Sequence, residues 1–320
     1  MAHRATHLLA VSGADIMRLV DPAAVIDALA EGFRALSRGD VQAPPRPKVD
    51  VPGKGYSLAM LAWTPGRNIA LKTVNVYHDN HRLGLESHQA LVSLFDPETG
   101  VPVAILDGAS LTGIRTAAAA VLSVRELARR DARVALVVGA GVQAREHARQ
   151  LALARDFSEI RVFARNGTLA REIAATVPRG VPVEDLEEAV RSSDVVCLTT
   201  SADRPVIDDA WVRDGTHVTS VGFTPPGSEL PAALVDRASV FVEAMSAFSA
   251  APVGCAELAG RDPAGGAELG EVLLARKPGR TNEMQVTLYK SMGNAMEDMI
   301  AANLAYSAAL KAGVGQKLEL

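Results

Sequence analysis

The sequence predicts an α/β fold in two domains, one of them a doubly wound parallel sheet. Three observations carry this. From residue 134 onward, apolar β-type runs alternate with helical stretches, the pattern of parallel strands joined by crossover helices. A glycine-rich turn directly follows the first of those strands. The chain is also 320 residues long and 48% hydrophobic, more than a single core usually accommodates.

Taken in order, residues 13–37 predict a helix, because Ile16, Leu19, Val20, Ala24, Ile26, Leu29 and Phe33 recur at helical spacing. Pro44, Pro45 and Pro47 then break the regularity. From about 49 to 106, short runs such as ALKTVNVY, ALVSLF and VPVAIL are separated by turn signals, including Asp-Pro-Glu-Thr-Gly at 96–100. That texture predicts a mainly antiparallel sheet. A second helix is expected to start near Asp107 or Ser110, with Ser110 as its N-cap. Strands and helices then alternate through RVALVV, EIRVFA, SSDVVCLTT, THVTSVGF and SVFVEA. Residues 291–310 predict a last helix with Met292, Met296, Ile300 and Leu304 on one face. Packed back on the N-terminal part, it would make that domain discontinuous. The expected partition is residues 1–115 with 291–320 in one domain and 116–290 in the other.

Composition narrows the function. A net charge of −4 gives no basic field, so nucleic acid is not an expected partner. The basic run at 125–133 is interrupted by Glu126 and Asp131 and reads as a solvated helix end. No uncharged run reaches the roughly 18 residues of a membrane span, and the apolar stretch within MAHRATHLLAVSGAD is too short for a signal peptide. Cys197 and Cys255 match no disulfide or metal spacing. A reducing, cytoplasmic setting is the expectation. His78-Asp79-Asn80-His81 lacks a third ligand at useful spacing, so no metal is expected. A Gly-x-Ser-x-Gly nucleophile elbow is also missing.

The strongest motif is Gly139-Ala140-Gly141-Val142-Gln143-Ala144 after the strand Val134–Val138. Gly139 permits the tight turn, and Gly141 lets backbone amides approach a pyrophosphate. Ala144 keeps the following helix close to the strand, and that helix's N-terminus favours the anion. The strand–turn–helix context makes this a Rossmann dinucleotide fingerprint. NAD enzymes of this type carry an acid about 20 residues further on, at the end of the second strand. Here that strand ends in Arg165-Asn166 with no acid. Arg can grip a 2′-phosphate that a carboxylate would repel, so NADP(H) is favoured over NAD(H). Thr199 and Thr200, after the strand at 194–198, are candidates for the nicotinamide side.

Three basic residues mark a substrate side. Lys72 shares its strand face with Ala70, Val74 and Val76 by alternation. It is either a protective charge on an exposed edge strand or a buried amine with a lowered pKa, able to transfer protons near neutrality. Arg115 lies in the helical row Leu111, Arg115, Ala118, Leu122, and Arg46 in the stiff proline segment. Two converging guanidinium groups would clamp a carboxylate.

Residues 46–127 resemble the ornithine cyclodeaminase/mu-crystallin family. The marks are Arg46 in the first extended segment, ALKTVNVY with Lys72, and SHQALVSLFDPETGVPVAILDGASLTGIRTAAAA with Arg115. VVGAGVQA, SSDVVCLTTS, the VGxxxP segment at 221–226 and QVTLYKSMGNAMED extend the likeness over nearly the whole chain. The resemblance implies a Rossmann domain joined to a dimerising α/β substrate domain built from both chain ends, and hence a homodimer. It implies that Arg46, Lys72 and Arg115 hold the substrate carboxylate, with Lys72 also transferring a proton, and that Met60 lies over the substrate. His88 and Gln89 are similar to the mu-crystallin branch, where imine reduction is the chemistry. One position departs from the family: Thr224 stands where the cyclodeaminases carry an aspartate, and it cannot pair with a substrate amine. The expected activity is therefore reduction of a cyclic ketimine such as pyrroline-2-carboxylate. The alternatives are ornithine cyclodeamination, amino-acid dehydrogenation, or non-catalytic binding of NADPH or a small ligand.

Overall fold

The computed structural model describes residues 7–224 and 226–319. It divides into two compact units. One comprises Met1–Ala28, Arg38–Arg115 and Asn294–Leu320; the other comprises Leu29–Ser37 and Thr116–Gly293.

β1 (His7–Val11) precedes α1 (Gly13–Leu19), whose first turn is closed by the Ser12 hydroxyl accepting from the Asp15 amide. Val20 leaves the helical conformation and Pro22 begins α2 (Pro22–Arg38). Asp21 closes the start of α2, its carboxylate accepting from the Ala23 amide, so the single helix expected over 13–37 is two helices. β2 (Lys48–Val51), β3 (Gly55–Ala62), β4 (Ile69–Val76), β5 (His88–Phe95) and β6 (Pro102–Asp107) form the antiparallel run that the alternation predicts. α3 (Gly108–Leu127) follows at once. Its cap is the Asp107 carboxylate, which accepts from the Ser110 amide at 2.7 Å, so Ser110 is not the N-cap.

The second unit alternates β7 (Val134–Val138), α4 (Val142–Ala154), β8 (Glu159–Phe163), α5 (Gly167–Ala175), β9 (Gly180–Pro182), α6 (Leu186–Arg191) and β10 (Val195–Leu198). It continues with β11 (His217–Ser220), α7 (Ala232–Arg237), β12 (Ser239–Val242), β13 (Gly266–Glu268), α8 (Leu269–Leu273) and β14 (Thr287–Lys290). The chain ends with α9 (Ala295–Ala312) and β15 (Gln316–Glu319). The helix expected from 291 thus begins four residues later, where Asn294 and Glu297 form a capping box, and Gly313 stops it in the left-handed region. Met292 precedes it.

In the first unit the sheet order is β15-β1-β6-β5-β4-β3-β2. Among the described strands of this sheet, only the β1–β6 pair is parallel. α9 packs across β3, β4, β5 and β6. Asn303 anchors it, accepting from the Asn68 amide and donating to the Asn68 carbonyl beside the start of β4. The opposite face carries Leu61 and Leu91, 42% and 48% exposed.

In the second unit eight parallel strands run in the order β13-β12-β14-β11-β10-β7-β8-β9. β10, β11 and β14 are buried along their whole length, as central parallel strands must be. The direction of winding reverses between β7 and β10, which makes their C-terminal ends the switch point where such sheets bind ligands. Among the described residues, no helix is long and apolar enough to cross a membrane.

Candidate active site

At the switch point, Gly139 has φ +147°, and a Cβ on it would come within 2.3 Å of the Thr199 hydroxyl. Gly141 caps α4 with extended backbone, no side-chain hydrogen bond closes that helix end, and the space beside it is open. Ala144 is fully buried one turn on. The helix N-terminus with its positive dipole end, the uncapped Gly141 and the open space beside it together make an anion cradle, which fits the pyrophosphate of a dinucleotide. Val142 is exposed beside this cradle, and the Gln143 carbonyl engages His147 Nδ1 at 2.8 Å. Beyond β8, Arg165 is exposed. Asn166 caps α5, its side-chain oxygen accepting from the Thr168 amide.

After β10, the Thr199 hydroxyl donates to the Val138 carbonyl at 2.9 Å, tying the two loops of the switch point together. Thr200 is held by Glu229, a buried carboxylate that the sequence reading did not single out. Glu229 accepts from the Thr200 amide and hydroxyl, the Ser220 hydroxyl and the Gly222 amide, all within 2.9 Å. Ser220 in turn accepts from Lys290, which is fully buried, donates to the Gly222 carbonyl and pairs with Glu257 at 3.0 Å. The loop that carries Thr224 is therefore gripped at both the amide and the carbonyl of Gly222. A Cβ there would sit 2.6 Å from the Thr200 carbonyl. Thr224 itself donates to the Ser201 carbonyl at 3.2 Å.

In the first unit, β4 lies between β3 and β5, so Lys72 is not on an edge. It is 2% exposed, with Met60 directly opposite on β3 and Val92 opposite on β5. Its ammonium lies 2.7 Å from Asp298 of α9, and Thr112 is 3.4 Å away. Arg115, 5% exposed, donates to the same Asp298 at 2.9 Å and to Glu297 at 2.8 Å. Burial pushes the Lys72 amine down to about 8, against the pull of Asp298. Burial alone would raise the Asp298 carboxyl, but Arg115 and Lys72 together hold it below the usual range. The result is a dry cluster with a proton-bearing amine and a guanidinium on one anchor, able to orient an acidic group and exchange a proton.

Arg46 is half-buried, close enough for its charge to act on Tyr56. His88 is exposed at the start of β5, in register with Val76, and Gln89 next to it donates to the Glu86 carbonyl. Glu297 and Asp298, the counter-charges of the cluster, escaped the sequence reading. Their signal was two adjacent acids inside an otherwise apolar helix, AMEDMIAANL, where unpaired charge is not tolerated. Within the described residues no group of His, Cys, Asp and Glu could hold a metal ion.

The sequence profile of the ornithine cyclodeaminase/mu-crystallin family matches residues 7–313. The chain belongs to that family. The ketimine reductase mu-crystallin of Mus musculus is 33% identical to it, over 88% of this chain and 90% of the mouse protein. Among solved structures, the Δ1-pyrroline-2-carboxylate reductase of Thermococcus litoralis, in complex with NADH and L-proline, superposes with a TM-score of 0.89. It has 31% identity and covers 97% of this chain and 99% of its own. An archaeal alanine dehydrogenase dimer with bound NAD gives 0.86 at 28% identity, covering 98% and 99%.

Proposed function

We propose that this member of the family is a nicotinamide-dependent reductase of cyclic ketimine carboxylates, of which pyrroline-2-carboxylate is the type. The observation that carries the reading is Lys72 and Arg115 buried on a shared carboxylate, Asp298. A bound nicotinamide supplies the hydride that adds to the imine carbon. Arg115 and Arg46 orient the substrate carboxylate, and Lys72 delivers a proton to the imine nitrogen. Met60 and His88 line the substrate side of the first unit, and Thr224, in the second, replaces the acid a cyclodeaminase would use. Gly139, Gly141, Val142, Gln143 and Ala144 hold the cofactor's pyrophosphate, with Thr199 and Thr200 on its nicotinamide side. Arg165 and Asn166 take a 2′-phosphate, which makes NADP(H) the preferred form. That preference rests on Arg165 and the missing acid, since both solved relatives carry NAD(H).

A homodimer is supported by the dimeric archaeal relative and by the sheet face where Leu61 and Leu91 stand uncovered. A cytoplasmic setting agrees with two buried thiols, Cys197 and Cys255, that form no disulfide.

The test follows NADPH and NADH oxidation by absorbance with pyrroline-2-carboxylate and piperideine-2-carboxylate, beside conversion of ornithine to proline. Turnover of an imine with NADPH, lowered about 10²-fold or more in Lys72→Met, supports the reading. Imine turnover left intact by Lys72→Met refutes the role of Lys72. Proline formed from ornithine establishes the cyclodeaminase alternative and shows that Thr224 does not block it.

A further inference from the structure

Four ionisable side chains meet in the first unit with no net charge. Lys72 and Arg115 are the cations, Glu297 and Asp298 the anions, and none of the four side chains is more than 6% exposed. A site built only to trap a carboxylate would leave its cations in surplus. Here both are already paired.

The two acids are not equivalent. Glu297 is also tied into the helix end, accepting from the Asn294 amide at 3.0 Å. Asp298 touches both cations and sits in the first turn of α9, where the helix dipole favours its ionised form. From the neighbouring elements, α3 presents Arg115 and Thr112 to Lys72, while Met60 of β3 and Val92 of β5 stand opposite it in register.

We propose that Asp298 determines specificity: by cancelling the charge of Lys72 and Arg115, it selects carboxylates whose neighbouring ring atom is a basic nitrogen over those whose neighbouring atom is an oxygen. The inference rests on the reading of Lys72 and Arg115 as the substrate site. A carboxylate with a basic nitrogen brings or acquires a positive charge of its own and leaves the cluster balanced. A ring ether or 2-oxo acid has no such atom, so its negative charge adds to two buried carboxylates. Asp298 is a positioning residue acting through Lys72 and Arg115.

The experiment is a calorimetric titration of the full chain, saturated with oxidised cofactor, using two ligands of the same ring shape. L-Proline carries an ammonium in the ring; (S)-tetrahydrofuran-2-carboxylate carries an oxygen there and a net charge of −1. In the wild-type protein, proline is expected to bind about tenfold tighter or better, since like charges brought together are costly. In Asp298→Asn the ring ether should gain affinity while proline loses it, a shift in ratio that mere loosening of the fold does not produce. Asp298→Glu, which keeps the charge, should keep the preference and decides the matter if the Asn variant fails to fold. Equal affinities in the wild type, or an unchanged ratio in Asp298→Asn, overturn the inference alone. Binding of neither ligand overturns the carboxylate site and this inference with it.

Discussion

Gly139 and Thr199 are in contact at the switch point of the parallel sheet, so close that a single added carbon on Gly139 would lie 2.3 Å from the Thr199 hydroxyl and 3.0 Å from its carbonyl. Its φ of +147° excludes other residue types independently of that contact. Gly139→Ala should therefore open the pair. The expected outcome is loss of cofactor binding by at least about 10²-fold, with the first unit's fold intact. Fluorescence titration with NADPH and NADH checks it; near-normal binding would show that the loop is not the pyrophosphate cradle.

Arg165 offers a guanidinium without acidic competition at the end of β8. Arg165→Ser should raise KM for NADPH by about tenfold, the scale of one charge-assisted pair, and leave KM for NADH unchanged. A parallel rise for both cofactors would place Arg165 outside the 2′-phosphate site, and NAD(H) would then be the better assignment.

How much of this was legible in the sequence follows from distance along the chain. The glycine motif is local, residues 139–144 spanning the turn after β7 and the first turn of α4, and its form was readable directly. That Lys72 shares a face with Ala70, Val74 and Val76 was readable from the alternation in ALKTVNV, but whether it was buried or on an exposed edge was not, because that depends on β3 and β5 both pairing with its strand. Asp298 is 226 residues away from Lys72, and no local pattern links them. β1 and β15, five and four residues long, are too short for period to distinguish from loop. The break at Pro22 was readable and was overlooked because the apolar spacing continues through it.

Lys72 gives the activity a pH dependence with a definite sign. Its amine is lowered from 10.5 to about 8, so the protonated form that serves imine reduction is lost as pH rises through about 8, and the neutral form that serves amine oxidation is gained. Reduction should fall and oxidation rise across the same window, measured as kcat/KM in each direction. Folding stability moves the other way from the reductase: between about 8 and 10.5 the unfolded chain holds more protons on this group than the folded one, so the native state gains relative stability there. A reductase limb at the same pH in Lys72→Met, if activity survives, would assign the titration to another group.

Lys290 tests whether the second buried ion pair is structural, functional or both. The ammonium is fully buried, bonded to Ser220, the Gly222 carbonyl and Glu257. Lys290→Met leaves Glu257 buried without its partner and should cost about 3–5 kcal/mol by urea unfolding. Replacing both members, Lys290→Met with Glu257→Leu, removes the stranded charge and should recover most of that loss, since apolar pairs of similar size replace buried ion pairs at little cost. The Gly222 carbonyl, however, stays without its donor in the double variant, while Glu229 still holds the Gly222 amide. The loop carrying Thr224 is then fixed on one side only, so the double variant should regain stability and keep a reduced kcat. If activity returns together with stability, the Lys290 network serves the fold alone, and the placement of Thr224 does not depend on it.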